Sequence, residues 1–402
     1  MTEVELSPTA MAAGGAALAR DAGGRVVFVE GALPGERVRA RLTDTRKDFA
    51  RAVALEILEP SADRVAPPCS ALAMGCGGCT WQHVSPAGQS RLKADVVVDA
   101  LRRIGKLAEP PLPRAALMGG PPLRTTARLA VSPGGRAGHR PRTGSGAVET
   151  DACLVAHPLL EELIVDGRYP GAHEVLLRAS VATGERIVLV DRGAGAVQVP
   201  AGVRVFQEGD TQPAFIHEEV AGRRFRISAG SFFQAGPEVA GALASAVTSS
   251  IGEALPDGGV LVDAYAGVGL FASVIAAQRR ARVVAVESDP SAVADARVNL
   301  ADLDAQVVGV EVARWRPRPA DVVVADPARS GLGRPGAGAV AATGASRVVL
   351  VSCDPASLAR DSVLLREAGY ALVSVLLVDA FPHTFHVETV SRFDLVTARP
   401  GS

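Results

Sequence analysis

Hydrophobic and polar positions along the 402-residue chain follow two rhythms. As far as about residue 230, apolar residues come in short alternating runs, the period of half-buried strands. The stretch GGRVVFVEGALPGERVRARL holds two such runs around Gly31-Ala32-Leu33-Pro34-Gly35, a strong turn signal, and a third run covers 52–58. Several short strands with turn punctuation predict a small barrel over residues 10–60. Phe28 and Phe49 suit either its core or stacking on bases, and for a lone phenylalanine the core is expected. Residues 85–107 have helical spacing, with Leu92, Val96, Ala100 and Leu101 on one face, until Pro110, Pro111 and Pro113 break the chain. Alternation returns at 175–179, 187–190 and 224–228, which predicts a mostly β central domain with a loop-rich surface.

Beyond residue 231 the rhythm changes. Solid apolar runs at 260–263, 283–287, 321–325 and 348–351 alternate with helical stretches, the pattern of a parallel sheet covered on both faces. Each run ends on or just before a polar residue: Asp263, Glu287, Asp326 and Cys353. Open α/β sheets bind ligands at the carboxyl ends of their strands. In DAYAGVGLF the chain turns through Gly267 and Gly269 into a helix. Such a turn allows close backbone approach to a ligand and leaves free amides at the helix start. With Glu287 placed to accept hydrogen bonds from a ribose, the pair fits a dinucleotide or S-adenosylmethionine. No third glycine completes GxGxxG, which disfavours NAD. Pro355 ends the last run beside Cys353, and Glu388 follows in FPHTFHVETV. A thiol and a carboxylate so placed suggest a nucleophile and a base. A free cysteine is more often an inert buried thiol, but four polar groups at successive strand ends favour a site.

Composition narrows the picture. With 48% hydrophobic and 21% charged residues, the chain suits two or three domains whose cores need no disulfides. A net charge of -1 gives no overall attraction to nucleic acid, so any such affinity must be local. Arg124, Arg128, Arg136, Arg140 and Arg142 offer a local basic surface, either for phosphates or merely solvated. The five cysteines are an odd count, with Cys69, Cys76 and Cys79 clustered in a Pro/Gly-rich loop and Cys153 far downstream. Zinc, an iron–sulfur cluster or a redox pair all fit CGGC, although no strand-to-helix pattern surrounds it as a thioredoxin-like pair requires. With no signal peptide and no membrane-length apolar run, a cytoplasmic protein is expected.

SFFQAG, DAYAGVGLF, AVESDP, DPAR, VSCDPASLARD and FPHTFHVETV occur in that order over residues 231–390. Together they resemble the RNA 5-methyluridine methyltransferase family (TrmA/RumA type). FVEGALPGE is similar to the TRAM domain, an OB-like RNA-binding module, and with the cysteines it points to the iron–sulfur, TRAM-bearing branch. The resemblance implies an α/β protein in three parts: a TRAM barrel over 1–60, a central domain over 61–230 with the cluster cysteines and a basic RNA-binding surface, and a Rossmann-like class I methyltransferase domain over 231–402. By the same resemblance Cys353 is the nucleophile and Glu388 the base. Gln234, Tyr265, Glu287 and Asp326 bind S-adenosylmethionine, joining Asp263, Gly267 and Gly269 of the glycine turn. Cys69, Cys76, Cys79 and Cys153 hold a [4Fe-4S] cluster. Departures from the family pattern are DPAR for DPPR, Gly236 for a common asparagine, and six residues rather than five between Cys69 and Cys76. Asp354 replaces asparagine, and its charge is expected to raise the Cys353 pKa.

The chemistry suits these residues. Uracil carbon 5 is too weak a nucleophile to take a methyl group unaided. Thiolate addition at carbon 6 activates it, and a base must later remove the carbon 5 proton. The expectation is therefore a monomeric uridine-C5 methyltransferase acting on RNA, with 23S ribosomal RNA preferred over transfer RNA by family analogy. Two rivals are an amino-group methyltransferase, for which DPAR lacks the aromatic residue, and a non-catalytic RNA-binding protein, against which Cys353 and Glu388 both speak.

Overall fold

Alternation of buried and exposed positions builds the first part of the computed structural model, which describes residues 2–116 and 124–396. Strands β1 (Glu3–Leu6), β2 (Ala10–Met11), β3 (Ala17–Arg20), β4 (Val26–Glu30), β5 (Arg37–Thr45) and β6 (Phe49–Glu59) form one sheet in the order β1-β5-β6-β4-β3-β2. Val27, Val29, Val38, Ala40, Ala50 and Ala52 face its core. Strand periodicity then forces Phe28 and Phe49 to the other face, where both are half-buried, so neither is the core residue expected from sequence. Buried Glu36 ties the β4–β5 turn to the segment after β6. It accepts hydrogen bonds from the Leu33 and Ser61 amides and from Arg64.

Helix α1 (Pro86–Arg103) starts at Ser85, whose hydroxyl accepts from the Gly88 amide. One flank of the helix, Leu92 and Val96, packs with Trp81 and Val84 against the barrel. The other, Val97, Ala100 and Leu101, packs into the C-terminal core. The strand β7 (Arg114–Ala116) follows.

The central sheet comprises β8 (Thr126–Val131), β9 (Ala137–Gly138), β10 (Glu174–Ala179), β11 (Arg186–Val190) and β12 (Val203–Gln207), in the order β12-β11-β10-β8-β9. Helix α2 (Pro158–Val165) covers it through Leu160, Leu163 and Ile164. A ribbon of β13 (Phe215–Val220) and β14 (Arg223–Ser228) leads into α3 (Pro237–Ile251).

The C-terminal part alternates β15 (Val260–Ala264), α4 (Leu270–Arg279), β16 (Arg282–Glu287), α5 (Pro290–Asn299), β17 (Ala305–Gly309), β18 (Val322–Ala325), α6 (Gly333–Ala341), β19 (Arg347–Ser352) and α7 (Pro355–Glu367). It closes with β20 (Tyr370–Val378) and β21 (Glu388–Leu395). The sheet order is β17-β16-β15-β18-β19-β21-β20-β7, parallel from β17 to β19 with β21 antiparallel between β19 and β20. This reversal decides the site. Because β21 runs backwards, its first residue, Glu388, lies at the edge where β15, β16, β18 and β19 end. Thr389 pairs with Ser352, which places Glu388 beside Cys353. No helix among the described residues is long and apolar enough to cross a membrane.

Candidate active site at the sheet edge

The glycine turn is held by carboxylates. Helix α4 begins after Gly269, which has a left-handed backbone (φ 87°) and no side chain to cap the helix. Asp263 caps it instead from the strand end, its Oδ2 accepting from the Ala272 amide at 2.8 Å. Its other oxygen is buried and has no hydrogen-bond partner among the described residues. Burial, with the charges of Asp326 and Glu287, pushes the Asp263 carboxyl up to about 7. Asp263 thus supports the turn from beneath. Glu287 accepts from the Gly267 amide at 2.9 Å through one oxygen and from the Ser288 and Asp289 amides through the other. Tyr265 is held at φ 63°, a conformation costly for a residue with a Cβ. Its hydroxyl lies so near Gly336 of α6 that a Cβ there would sit 2.6 Å away.

The second cluster is Gln234, Asp326, Cys353 and Glu388. Gln234 Nε2 donates to Asp326 Oδ2 at 3.4 Å. Burial pushes the Cys353 thiol up to about 11, helped by the charges of Glu388 and Asp326 and opposed by Arg329. Burial also raises Asp326, to about 7. Glu388, only 5% exposed, is raised well above the usual carboxylate range by burial and by Asp326. Like charges gathered in one buried cluster resist joint ionisation. Asp354 does not play the part expected of it: its carboxylate caps α7, accepting from the Ser357 amide at 2.7 Å. Glu388 and Asp326 are the carboxylates that raise the thiol. His386, the rival base, is held down at about 4 by burial and by Arg329, Arg124 and Lys93.

Sequence reasoning missed a brace behind the loop that carries His386 and leads into Glu388. From α1, the fully buried Lys93 ammonium donates to Asp379 Oδ1 at 2.7 Å and to the Phe381 carbonyl at 2.9 Å. Gln89 accepts from the His383 amide, and the Trp81 amide donates to the His383 carbonyl. Phe385 lies against Gly15 of the barrel, where a Cβ would come within 2.5 Å of the ring. The available signal was spacing: Gln89, Lys93 and Val97 put two polar residues on the buried stripe of the helix.

The basic stretch is more neutralised than its sequence suggests. Arg128 and Arg140 both pair with Glu174, Arg136 with Asp151, and Arg142 lies 3.9 Å from Glu30. Arg124 differs. Its guanidinium stands 5.7 Å over the Phe381 ring, and no acid pairs with it among the described residues. Burial lowers its pKa, while Cys79 and Cys153 nearby oppose that.

Cys69, Cys76, Cys79 and Cys153 line one small cavity with Leu72, Gln82, His139 and Val155. Among the described residues none of the four forms a disulfide, and burial pushes the thiols of Cys76, Cys79 and Cys153 upward. Among the described residues, no group of three or more His, Cys, Asp or Glu side chains is arranged to hold a single metal ion.

Residues 3–55 match the model of the TRAM domain. An uncharacterized RNA methyltransferase of Streptomyces coelicolor is 36% identical, over 97% of this chain and 92% of its own. The 23S rRNA (uracil(1939)-C(5))-methyltransferase RlmD of Aeromonas salmonicida is 30% identical over 92% of both chains. In fold, the chain is similar to the Pyrococcus abyssi tRNA (uracil-54, C5)-methyltransferase solved with S-adenosyl-L-homocysteine, with a TM-score of 0.73, 21% identity, and coverage of 96% and 99% of the two chains. The C-terminal part therefore has the class I methyltransferase fold, and the chain belongs to the S-adenosylmethionine-dependent RNA 5-methyluridine methyltransferase family, with a TRAM domain at its N-terminal end.

Proposed function

We propose that this protein methylates carbon 5 of a uridine in RNA, with 23S ribosomal RNA as the target class. The observation that carries the reading is the convergence of Cys353, Glu388 and Asp326 on one sheet edge through the reversed strand β21. The thiolate of Cys353 adds to carbon 6 of a uracil drawn out of its stack. Gln234 and Asp326 are assigned to the methyl donor, and Asp326 also to the polar edge of the base. The turn through Gly267 and Gly269, with Tyr265 and Glu287, fits the methyl donor, which supplies an electrophilic methyl group when bound. Glu388 then takes the carbon 5 proton, and the thiolate leaves. A group with a raised pKa is the stronger base once ionised, which favours Glu388 over His386 held at about 4. The TRAM domain supports RNA as the substrate, and the RlmD relative supports ribosomal RNA as the target class.

The test is RNA carrying 5-fluorouridine. Fluorine cannot leave as a proton does, so the enzyme should be trapped in a denaturant-stable adduct through Cys353. Absence of the adduct in the parent, or its persistence in Cys353→Ala, would sink the mechanism. Mapping 5-methyluridine across ribosomal and transfer RNA of a deletion strain would settle the target class.

The four clustered thiols fit a [4Fe-4S] cluster by donor chemistry: four soft ligands line one cavity. Cys69, Cys76, Cys79 and Cys153 would hold it. Its chemistry there would be structural, tying the loop to the central sheet, since Cys353 already accounts for the reaction.

A further inference from the structure

The outer face of the barrel carries a feature that its core does not explain. Phe28 on β4 and Phe49 on β6 meet edge to face, with ring centroids 5.9 Å apart and planes at 86°. Arg51, directly across from Phe28 in the β4–β6 register, lays its guanidinium 5.7 Å from the Phe28 centroid and 5.9 Å from that of Phe49. Neither ring belongs to the barrel core. Arg51 is exposed and makes no ion pair among the described residues. Asp44, opposite it on β5, turns to Arg46 instead, Asp21 pairs with Arg25, and Glu30 lies nearest Arg142. Among the described residues Arg51 therefore has no acidic partner and lies over an aromatic pair.

We propose that Phe28, Phe49 and Arg51 form a stacking platform for unpaired nucleobases of the RNA substrate, which deepens the reading of this protein as an RNA methyltransferase. Aromatic rings and guanidinium planes stack bases, and the positive charge attracts the adjoining phosphates. An apolar partner protein would gain nothing from the unpaired cation, so charge favours RNA. Position supports the same occupant. Strand β4 pairs with β3, Val29 lying opposite Ala17, and the β2–β3 turn holds Gly15 against Phe385 of the catalytic loop. Phe28 is three residues from the Gly31 end of that strand, roughly 10 Å at ~3.3 Å per residue. The platform therefore lies on a strand whose end adjoins the turn that touches the loop leading into Glu388.

The test uses the full chain and two fluorescein-labelled RNAs of equal length, one unstructured and one a duplex, followed by anisotropy. Phe28→Leu/Phe49→Leu should weaken binding to the unstructured RNA about tenfold and leave the duplex nearly unchanged. Arg51→Gln should lower the salt slope by about one unit. If the double variant fails to give parent-like circular dichroism, Arg51→Gln with Arg51→Lys carries the test: lysine should restore the salt slope but not the preference for unpaired RNA. Parent-like affinity in folded variants, or equal losses on both RNAs, would overturn the platform. Binding needs no methyl transfer, so loss of the 5-fluorouridine adduct in the parent would remove the catalytic reading and leave this result standing.

Discussion

Cys353 should react slowly as a thiol in the resting protein, and faster with each step in pH. Burial, followed by the charges of Glu388 and Asp326, carries it from 9.0 to about 11. Two units lower the thiolate population at pH 8 roughly a hundredfold below that of an ordinary thiol. Timed iodoacetamide treatment followed by peptide mass spectrometry separates Cys353 from the four cavity cysteines. Its alkylation rate should climb about tenfold per pH unit between 7 and 9, and stay far below the rate in urea-unfolded chain. Arg329→Gln should slow labelling further, because Arg329 opposes the rise. That effect should be small and fade with salt, since Arg329 is exposed. Alkylation at pH 7 as fast as in the unfolded chain, or a flat profile, would refute the reasoning. The same protons bear on turnover: high pH favours both the Cys353 thiolate and the Glu388 carboxylate, so kcat/KM should rise from pH 7 towards 9.

Glu388→Gln should transfer the methyl group but stall before release, accumulating a labelled enzyme–RNA band on denaturing gels that vanishes when Cys353 is also removed; normal turnover would pass the base role to His386. Lys93→Met should cost about 3 kcal/mol of stability by stranding Asp379 and the Phe381 carbonyl. It should also depress methyl transfer while cofactor affinity by calorimetry holds; adding Asp379→Leu should recover stability but not activity, and recovery of both would reduce the brace to packing. Anaerobically purified protein should be brown with about four irons per chain, and Cys153→Ser should lose them; a colourless, zinc-loaded, active preparation would overturn the cluster. Burial works against ionised Glu36, but Arg64 and the Ser61 and Leu33 amides hold its carboxyl below the usual 4.5. A lowered carboxylate stabilises above its unfolded pKa and loses that contribution as pH falls. Glu36→Gln should therefore flatten the acid limb of a thermal-stability profile below about pH 4.5, and an unchanged limb would count against the pair.

The sequence was most legible where one local rule decides structure. The turn at 31–35, the solid apolar strands and Pro355 after Cys353 all act within a few residues. Even the outward position of Phe28 follows from alternation with Val27 and Val29, once strand pairing is granted. What stayed hidden depends on partners far along the chain. Arg128 and Arg140 read as free cations until folding brings Glu174 between them. Asp354 sits beside Cys353 in sequence, yet its carboxylate is taken by the start of α7. Helix α1 announced an apolar face but not that this face is split between two cores, and Lys93 could not be recognised as a brace without Asp379, 286 residues later.

That split has a consequence for where the catalytic unit begins. Helix α1 lies against α7, and β7 extends the far edge of the C-terminal sheet beside β20. Both precede the central sheet in the chain. The methyltransferase unit is thus written in two separate passages of sequence, with the central sheet occupying the interval like a guest. A fragment cut at residue 231 would bare the apolar flank of α7 and the edge of β20, and would lose the ammonium that steadies 379–381. A fragment meant to fold around Cys353 should therefore retain α1 and β7 as well as the chain after residue 231.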